Sequence, residues 1–265
     1  MLDEKLLKES IAQCCRTLKM SSNFAEQAVL QAGETHQEYL NSLLRNEIEY
    51  RRQKRITKYL NTAGFPKKYS PEQFRTDDVI FQGNSTFEKL LNLDFYRDGK
   101  NVIMYGGTGT GKTMLSILIG MAACNAEIPV KFYRTTGFIN LFSVSRAKGT
   151  LTKLKKQLDT TAHILILDEF GYVPYDRTGA QLFFDFLSEM HEKDNRAIIL
   201  NTNLEFSQWV NVLYDEQMTR ALIGRLTHHV DLILFQGENN RLRESSLYEA
   251  FTRLSREKGE KTQNS

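Results

Sequence analysis

The spacing of hydrophobic residues changes once along this chain. Up to about residue 60 it is helical. Leu6, Leu7, Ile11 and Cys14 mark one apolar face, and Tyr39, Leu40, Leu43 and Leu44 another that runs into the charged stretch Glu47–Arg55. Ala63-Gly64-Phe65-Pro66 interrupts the pattern, and Pro66 and Pro71 mark an extended connector. From about residue 79 short apolar runs alternate with helical stretches. Runs at 101–105, 130–134, 163–168, 197–201 and 230–235 predict strands, and 114–123 reads as a buried helix. Strands alternating with helices predict an α/β domain whose five-stranded, mostly parallel sheet is covered by helices on both faces. The expected order is a small all-α N-terminal domain (1–62), a linker (63–78), the α/β domain (79–253) and a polar tail (254–265) expected to be disordered.

The first predicted strand runs into Gly106-Gly107-Thr108-Gly109-Thr110-Gly111-Lys112-Thr113, and the buried helix follows. This is the P-loop spacing. Backbone N–H groups of such a turn cradle phosphate oxygens, the lysine reaches the β- and γ-phosphates, and the threonine hydroxyl binds Mg²⁺. The phosphates would sit at the positive N-terminus of the helix. The run His163-Ile-Leu-Ile-Leu-Asp168-Glu169 ends in two carboxylates. Asp168 is expected in the Mg²⁺ shell, and Glu169 is placed to orient and deprotonate the attacking water.

Small-molecule kinases, GTPases, helicases and AAA+ ATPases all carry a P-loop. The strand near 197 ends Leu200-Asn201-Thr202-Asn203-Leu204. In the AAA+ layout the strand beside the Asp-Glu strand ends in a polar residue facing the γ-phosphate. Asn203 fits that position, with Asn201 and Thr202 as alternatives. The segment Met218–His229 precedes the last strand and resembles the AAA+ segment bearing an arginine finger, with Arg225 favoured over Arg220. His228 and His229 have no Cys or acidic partner at ligand spacing, so a surface or core role is expected of them.

Composition narrows the setting. At 265 residues, 41% hydrophobic and 25% charged, the chain has the make-up of an ordinary soluble protein with one large and one small domain. No apolar run approaches the roughly 20 residues that cross a membrane, and the start Met-Leu-Asp-Glu-Lys lacks the layout of a secretory signal. Cys14, Cys15 and Cys124 show no metal spacing, so reduced thiols in a cytoplasmic protein are expected. Net charge is only +3, but it is unevenly spread: Arg45–Arg75 holds nine Lys/Arg against three Asp/Glu, and Lys131–Leu158 seven against none. Two basic stretches flanking an ATPase pattern point to a polyanion such as double-stranded DNA. Arg51, Arg52, Lys54, Arg55, Lys153, Lys155 and Lys156 are the candidate phosphate contacts.

Beyond these motifs the chain resembles the IstB-like ATPases of bacterial insertion sequences, relatives of DnaC-type helicase loaders. The resemblance covers nearly the whole chain. It rests on Leu167-Asp-Glu-Phe-Gly-Tyr-Val-Pro174, Thr202-Asn-Leu-Glu-Phe-Ser-Gln-Trp209, Ile223-Gly-Arg-Leu-Thr-His-His229, Gly237-Glu-Asn-Asn-Arg-Leu-Arg243 and the N-terminal helix ending at Ala63-Gly-Phe-Pro66. Two departures stand out. Gly224 replaces the family's Asp before the finger arginine, and Asn239 and Asn240 replace its Ser-Tyr before Arg241. The resemblance implies an AAA+ P-loop core and ATP with Mg²⁺. It further implies a homo-oligomer on double-stranded DNA, a cognate transposase as partner, Arg225 acting across a subunit interface and Arg241 as a second sensor. A helicase loader with a near-identical core is the alternative, and the N-terminal 60 residues would distinguish the two. A nucleotide-binding scaffold has no need of Glu169, and a small-molecule kinase would need an acceptor lid that the chain does not show.

Overall fold

The computed structural model describes residues 4–30, 36–172 and 175–237. Arg241, most of the segment 237–243 and the tail 254–265 lie outside the described residues. The chain divides into two units, Met1–Asn61 and Thr62–Ser265.

The first unit is helical: α1 (Glu4–Thr17), α2 (Ser22–Leu30) and α3 (His36–Thr62). Cys15, Leu43 and Ile56 are buried, whereas Leu44 and Ile48 face solvent, so the apolar stripe of α3 is narrower than its sequence spacing suggests. A carboxylate holds this unit's corner together. Glu47 is only 4% exposed; it accepts from Ser21 N at 3.0 Å, from the Ser21 hydroxyl and from Arg51 Nε at 2.7 Å. The Ser21 hydroxyl in turn accepts from Phe24 N in the first turn of α2. Burial pushes the Glu47 carboxyl up, but the bonds from Ser21 and Arg51 outweigh it and leave it below the usual carboxylate value.

The second unit carries β1 (Val79–Phe81), α4 (Phe87–Leu91), α5 (Asp94–Arg97), β2 (Asn101–Gly106), α6 (Lys112–Asn125), β3 (Val130–Arg134), α7 (Thr135–Ala147) and α8 (Leu151–Thr161). It continues with β4 (Ile164–Phe170), α9 (Arg177–His191), β5 (Ala197–Thr202), α10 (Val210–Leu213), α11 (Glu216–His228) and β6 (Val230–Phe235). The sheet has six strands, not five, in the order β1-β6-β2-β5-β4-β3. The additional strand is β1. Three residues long and with Ile80 exposed, it has no periodicity of its own; antiparallel pairing with β6 defines it. The other neighbours pair in parallel.

Successive strand residues point to opposite faces. Ile103, Leu165, Leu167, Ile198 and Leu200 enter a core with Phe138 and Phe142 of α7, Phe183 and Phe186 of α9, and Leu222 and Leu226 of α11. Ile166, between two of them, turns the other way and reaches Gly120 on α6. The expected connector covers an edge of the sheet. Phe132 N donates to Ala63 O at 2.8 Å, Lys131 Nζ donates to Thr62 O, and the Phe65 ring packs edge-on to Phe132. The edge strand β3 is thereby closed to pairing with other chains along that stretch.

All three cysteines are free, and burial pushes the Cys124 thiol up to about 12, leaving it unreactive. Among the described residues no helix is long and apolar enough to cross a membrane.

Candidate functional site

The sheet order brings the C-terminal ends of β2, β5 and β4 side by side, the edge at which parallel α/β sheets bind ligands. β2 ends at Gly106 and α6 starts at Lys112, so the glycine-rich turn is the whole connection. Gly106 admits no side chain: a Cβ there would stand 2.7 Å from Phe235 Cβ and closer still to Phe235 O. The Thr110 hydroxyl donates to Gly107 O at 2.9 Å, and Lys112 Nζ donates to Gly106 O and Gly107 O at 2.7 and 2.6 Å.

Strand parity sets the next layer. Ile166 faces α6, so Asp168, two residues on, faces the start of α6. The Thr113 hydroxyl lies 3.1 and 3.0 Å from the two Asp168 carboxylate oxygens. From β5, Asn201 Nδ2 donates to Asp168 Oδ1 and to Ser116 Oγ, both at 2.9 Å, and Ser116 Oγ donates to Thr113 O at 3.0 Å. Asp168, Ser116 and Asn201 are all buried. Four polar residues from α6, β4 and β5 thus form one closed network.

Glu169 is placed by a backbone irregularity. The β4–β5 register is regular to Leu167↔Leu200 and resumes at Phe170↔Thr202, so β4 carries one extra residue in a bulge. Glu169 has φ 57°, the left-handed region that is uncommon for a residue with a side chain. Its half-exposed carboxylate lies 3.5 Å from Arg134 Nε at the end of β3. Neighbouring groups hold the bulge. Thr135 Oγ1 donates to Asp168 O at 2.8 Å, Thr202 Oγ1 to Phe170 O at 3.1 Å, Gly171 N to Tyr175 OH at 3.3 Å and Tyr172 N to Glu169 O at 3.4 Å. Gly171, at φ 88°, sits so close to Leu204 that a Cβ would collide with Leu204 Cδ1. Tyr175 is buried, which pushes its phenol up to about 12.

The three polar residues ending β5 separate. Asn201 meets Asp168, Thr202 bonds Phe170 O, and Asn203 lies just beyond the strand with its Oδ1 buried; among the described residues neither that oxygen nor Asn201 Oδ1 has a partner. Arg225 is half-buried on α11, 5.3 Å over the Phe184 ring of α9, and Arg220 is exposed and paired with Glu216. His228 and His229 pack edge-on, and no group of metal-ligating side chains of the kind that holds zinc occurs among the described residues. Among the basic candidates, Arg51 is held by Glu47 and by Lys19 O, Arg52 lies 3.6 Å from Glu49, and Lys155 pairs with Glu189 at 2.5 Å. Lys54, Arg55, Lys153 and Lys156 have exposed side chains. Sequence reasoning missed Ser116, Thr135, Arg134 and Tyr172, because each acts through a partner far away in sequence.

The donor set fits a magnesium nucleotide. A hydroxyl and a carboxylate in contact are the hard oxygen ligands Mg²⁺ takes from a protein, the remainder coming from phosphate and water. The unpartnered amide oxygens of Asn201 and Asn203 are further buried polar atoms at the same sheet edge.

The comparisons with known proteins agree with the binding of a nucleotide. The model of the family described as IstB-like ATP binding proteins matches residues 12–248. A Pseudomonas aeruginosa protein bearing the name of an insertion sequence IS21 ATP-binding protein is 34% identical over 212 residues, covering 79% of this chain and 78% of its own. A Geobacillus stearothermophilus protein with the corresponding IS5376 name is 28% identical over 249 residues, covering 92% and 98%. Among solved structures, AMPPCP-bound DnaA from Aquifex aeolicus superposes with a TM-score of 0.52 at 19% identity, over 68% of this chain and 54% of its own. That likeness is one of fold and spans about half of the DnaA chain.

Proposed function

Because the chain belongs to the family of IstB-like ATP binding proteins, we propose that it binds ATP at Gly106–Thr113 and hydrolyses it as a cytoplasmic, DNA-bound helper of transposition. The observation that carries the reading is the closed contact of Thr113, Asp168 and Asn201 beside the P-loop. Backbone N–H groups of the loop and the N-terminus of α6 bind the phosphates, and Lys112 leaves its carbonyl partners for them. Thr113 and Asp168 would hold Mg²⁺, which when bound neutralises charge on the β- and γ-phosphate oxygens. Asn201 fixes the Asp168 carboxylate. Asn203 is the sensor facing the γ-phosphate, and Glu169 takes the proton of the attacking water. Arg225 supplies a cation to the site of a neighbouring subunit, so activity requires a homo-oligomer, and Arg241 serves as second sensor.

Double-stranded DNA is gripped through its phosphates by the exposed Lys54, Arg55, Lys153 and Lys156 and by the partly buried Arg52, with a steep salt dependence. Arg51 and Lys155 are committed to Glu47 and Glu189 and contribute less. ATP then holds the oligomer on DNA until hydrolysis releases it, and a cognate transposase is recruited meanwhile.

The test is steady-state ATP turnover with and without duplex DNA. Lys112→Ala is expected to lose nucleotide binding, and Glu169→Gln to keep binding and lose turnover. A mixture of Arg225→Ala and Glu169→Gln subunits should recover part of the rate. Wild-type turnover by Glu169→Gln would remove Glu169 from the role of base. A rate that responds to a helicase and not to duplex DNA would make the protein a helicase loader.

A further inference from the structure

Tyr172 is a half-exposed aromatic residue at the mouth of the site, and the chemistry derived so far makes no use of it. Its phenol oxygen lies 2.8 Å from Thr108 Oγ1, the middle of the phosphate-binding turn, and its own N–H closes the turn that begins at Glu169 O. One residue therefore touches both halves of the site: its backbone belongs to the bulge that carries Glu169, and its side chain is tied to the P-loop.

The rest of the bulge is anchored on the inner side. Asp168 O, Phe170 O and Gly171 N bond to Thr135, Thr202 and Tyr175, all groups of the β-sheet or the core behind it. None of these bonds reaches the phosphate loop. The left-handed conformation of Glu169 persists only while its surroundings over-determine it. On the solvent side the Tyr172–Thr108 bond makes that connection.

We propose that Tyr172 is a positioning residue for ATP hydrolysis, setting the distance between the Glu169 carboxylate and the phosphate-binding turn through its hydrogen bond to Thr108. This rests on the reading of Glu169 as the base. The bond uses the Thr108 hydroxyl and not the backbone N–H groups that cradle phosphate, so its loss should misplace the base without removing a phosphate donor.

Tyr172→Phe removes one oxygen and leaves the ring. The experiment measures kcat and KM for ATP with duplex DNA and magnesium, together with equilibrium affinity for a non-hydrolysable ATP analogue, on the full chain. Tyr172→Phe is expected to lower kcat roughly fivefold, the size of one neutral hydrogen bond, with analogue affinity unchanged. Thr108→Val should lower kcat similarly. The double variant Tyr172→Phe/Thr108→Val should be no slower than the slower single variant. An unchanged kcat in Tyr172→Phe, or two losses that multiply in the double variant, overturns the proposal. Glu169→Gln is run alongside. If it is inactive while Tyr172→Phe is as fast as wild type, only the role of Tyr172 falls. If Glu169→Gln matches wild type, the base assignment falls and the proposal with it.

Discussion

Asn201→Leu tests whether the buried network is organised around the charge of Asp168. Asn201 is fully buried, and its Nδ2 donates to Asp168 Oδ1 and Ser116 Oγ at 2.9 Å each. Leucine has a similar volume and removes both bonds. Ser116 keeps its own bond to Thr113 O, so the loss falls mainly on the Asp168 carboxylate. A hydrogen bond to a charged group contributes about 1.5–3 kcal/mol, and one between neutral groups about 0.5–1.5 kcal/mol. Asn201→Leu should therefore cost about 2 kcal/mol, a shift in the urea midpoint of roughly 1 M. In an Asp168→Asn background the same substitution should cost about 1 kcal/mol less, because the bond it removes there is neutral. Trp209 reports the transition directly. It is the single tryptophan of the chain, fully buried, with its ring 4.5 Å from that of Phe170 on the same strand as Asp168. Urea titrations followed by Trp209 fluorescence on the four proteins complete the cycle. Equal costs in the two backgrounds would refute the reasoning, since the Asp168 charge would then have no part in holding Asn201.

Two further outcomes follow from the geometry. Gly171→Ala adds a Cβ at φ 88° against Leu204 Cδ1 and should cost about 2–3 kcal/mol by the same fluorescence titration; measured in a Leu204→Ala background, which has no clash, the same substitution should cost only the backbone strain of about 1–2 kcal/mol. Glu47 has a folded-state pKa below its ordinary value, so its contribution is present above the ordinary carboxylate range and disappears as pH falls through the lower folded value. Hydrogen exchange of residues 15–51 in the full chain should show that pH step in wild type; Glu47→Gln should abolish it and speed exchange at neutral pH by roughly tenfold or more.

Legibility in the sequence followed how local each signal is. Strands β2, β4 and β5 read clearly because each is an apolar run buried on both faces, β3 and β6 because apolar residues still recur along their short, partly buried runs, and the turn from β2 into α6 because its glycine spacing lies within eight consecutive residues. β1 did not, since its definition comes from β6, far along the chain. Asn201, Thr202 and Asn203 form a polar row with no internal sign of which one turns toward Asp168. The answer depends on the β4–β5 register and on the face that α6 covers. The basic stretches read as uniform ribbons of charge, but Arg51 and Lys155 are held by Glu47 and by Glu189, an acid from another helix.

The adjacency of Asp168 and Glu169 poses the problem that the bulge solves. In a regular strand consecutive side chains point to opposite faces. Leu165 and Leu167 enter the aromatic core with Phe138 and Phe183, so residue 169 in unbroken register would follow them and bury its carboxylate there. Asp168, in step with Ile166, already faces α6 and needs no correction. The extra residue and the left-handed turn fall at Glu169 itself, and its carboxylate emerges half-exposed beside Arg134. The break lets the adjacent Asp168 and Glu169 side chains avoid the opposite-face placement that a regular strand imposes. Thr135, Thr202, Tyr175 and Tyr172 hold the break through their hydrogen bonds, so on the proposed reading of the two carboxylates the function depends on them as well.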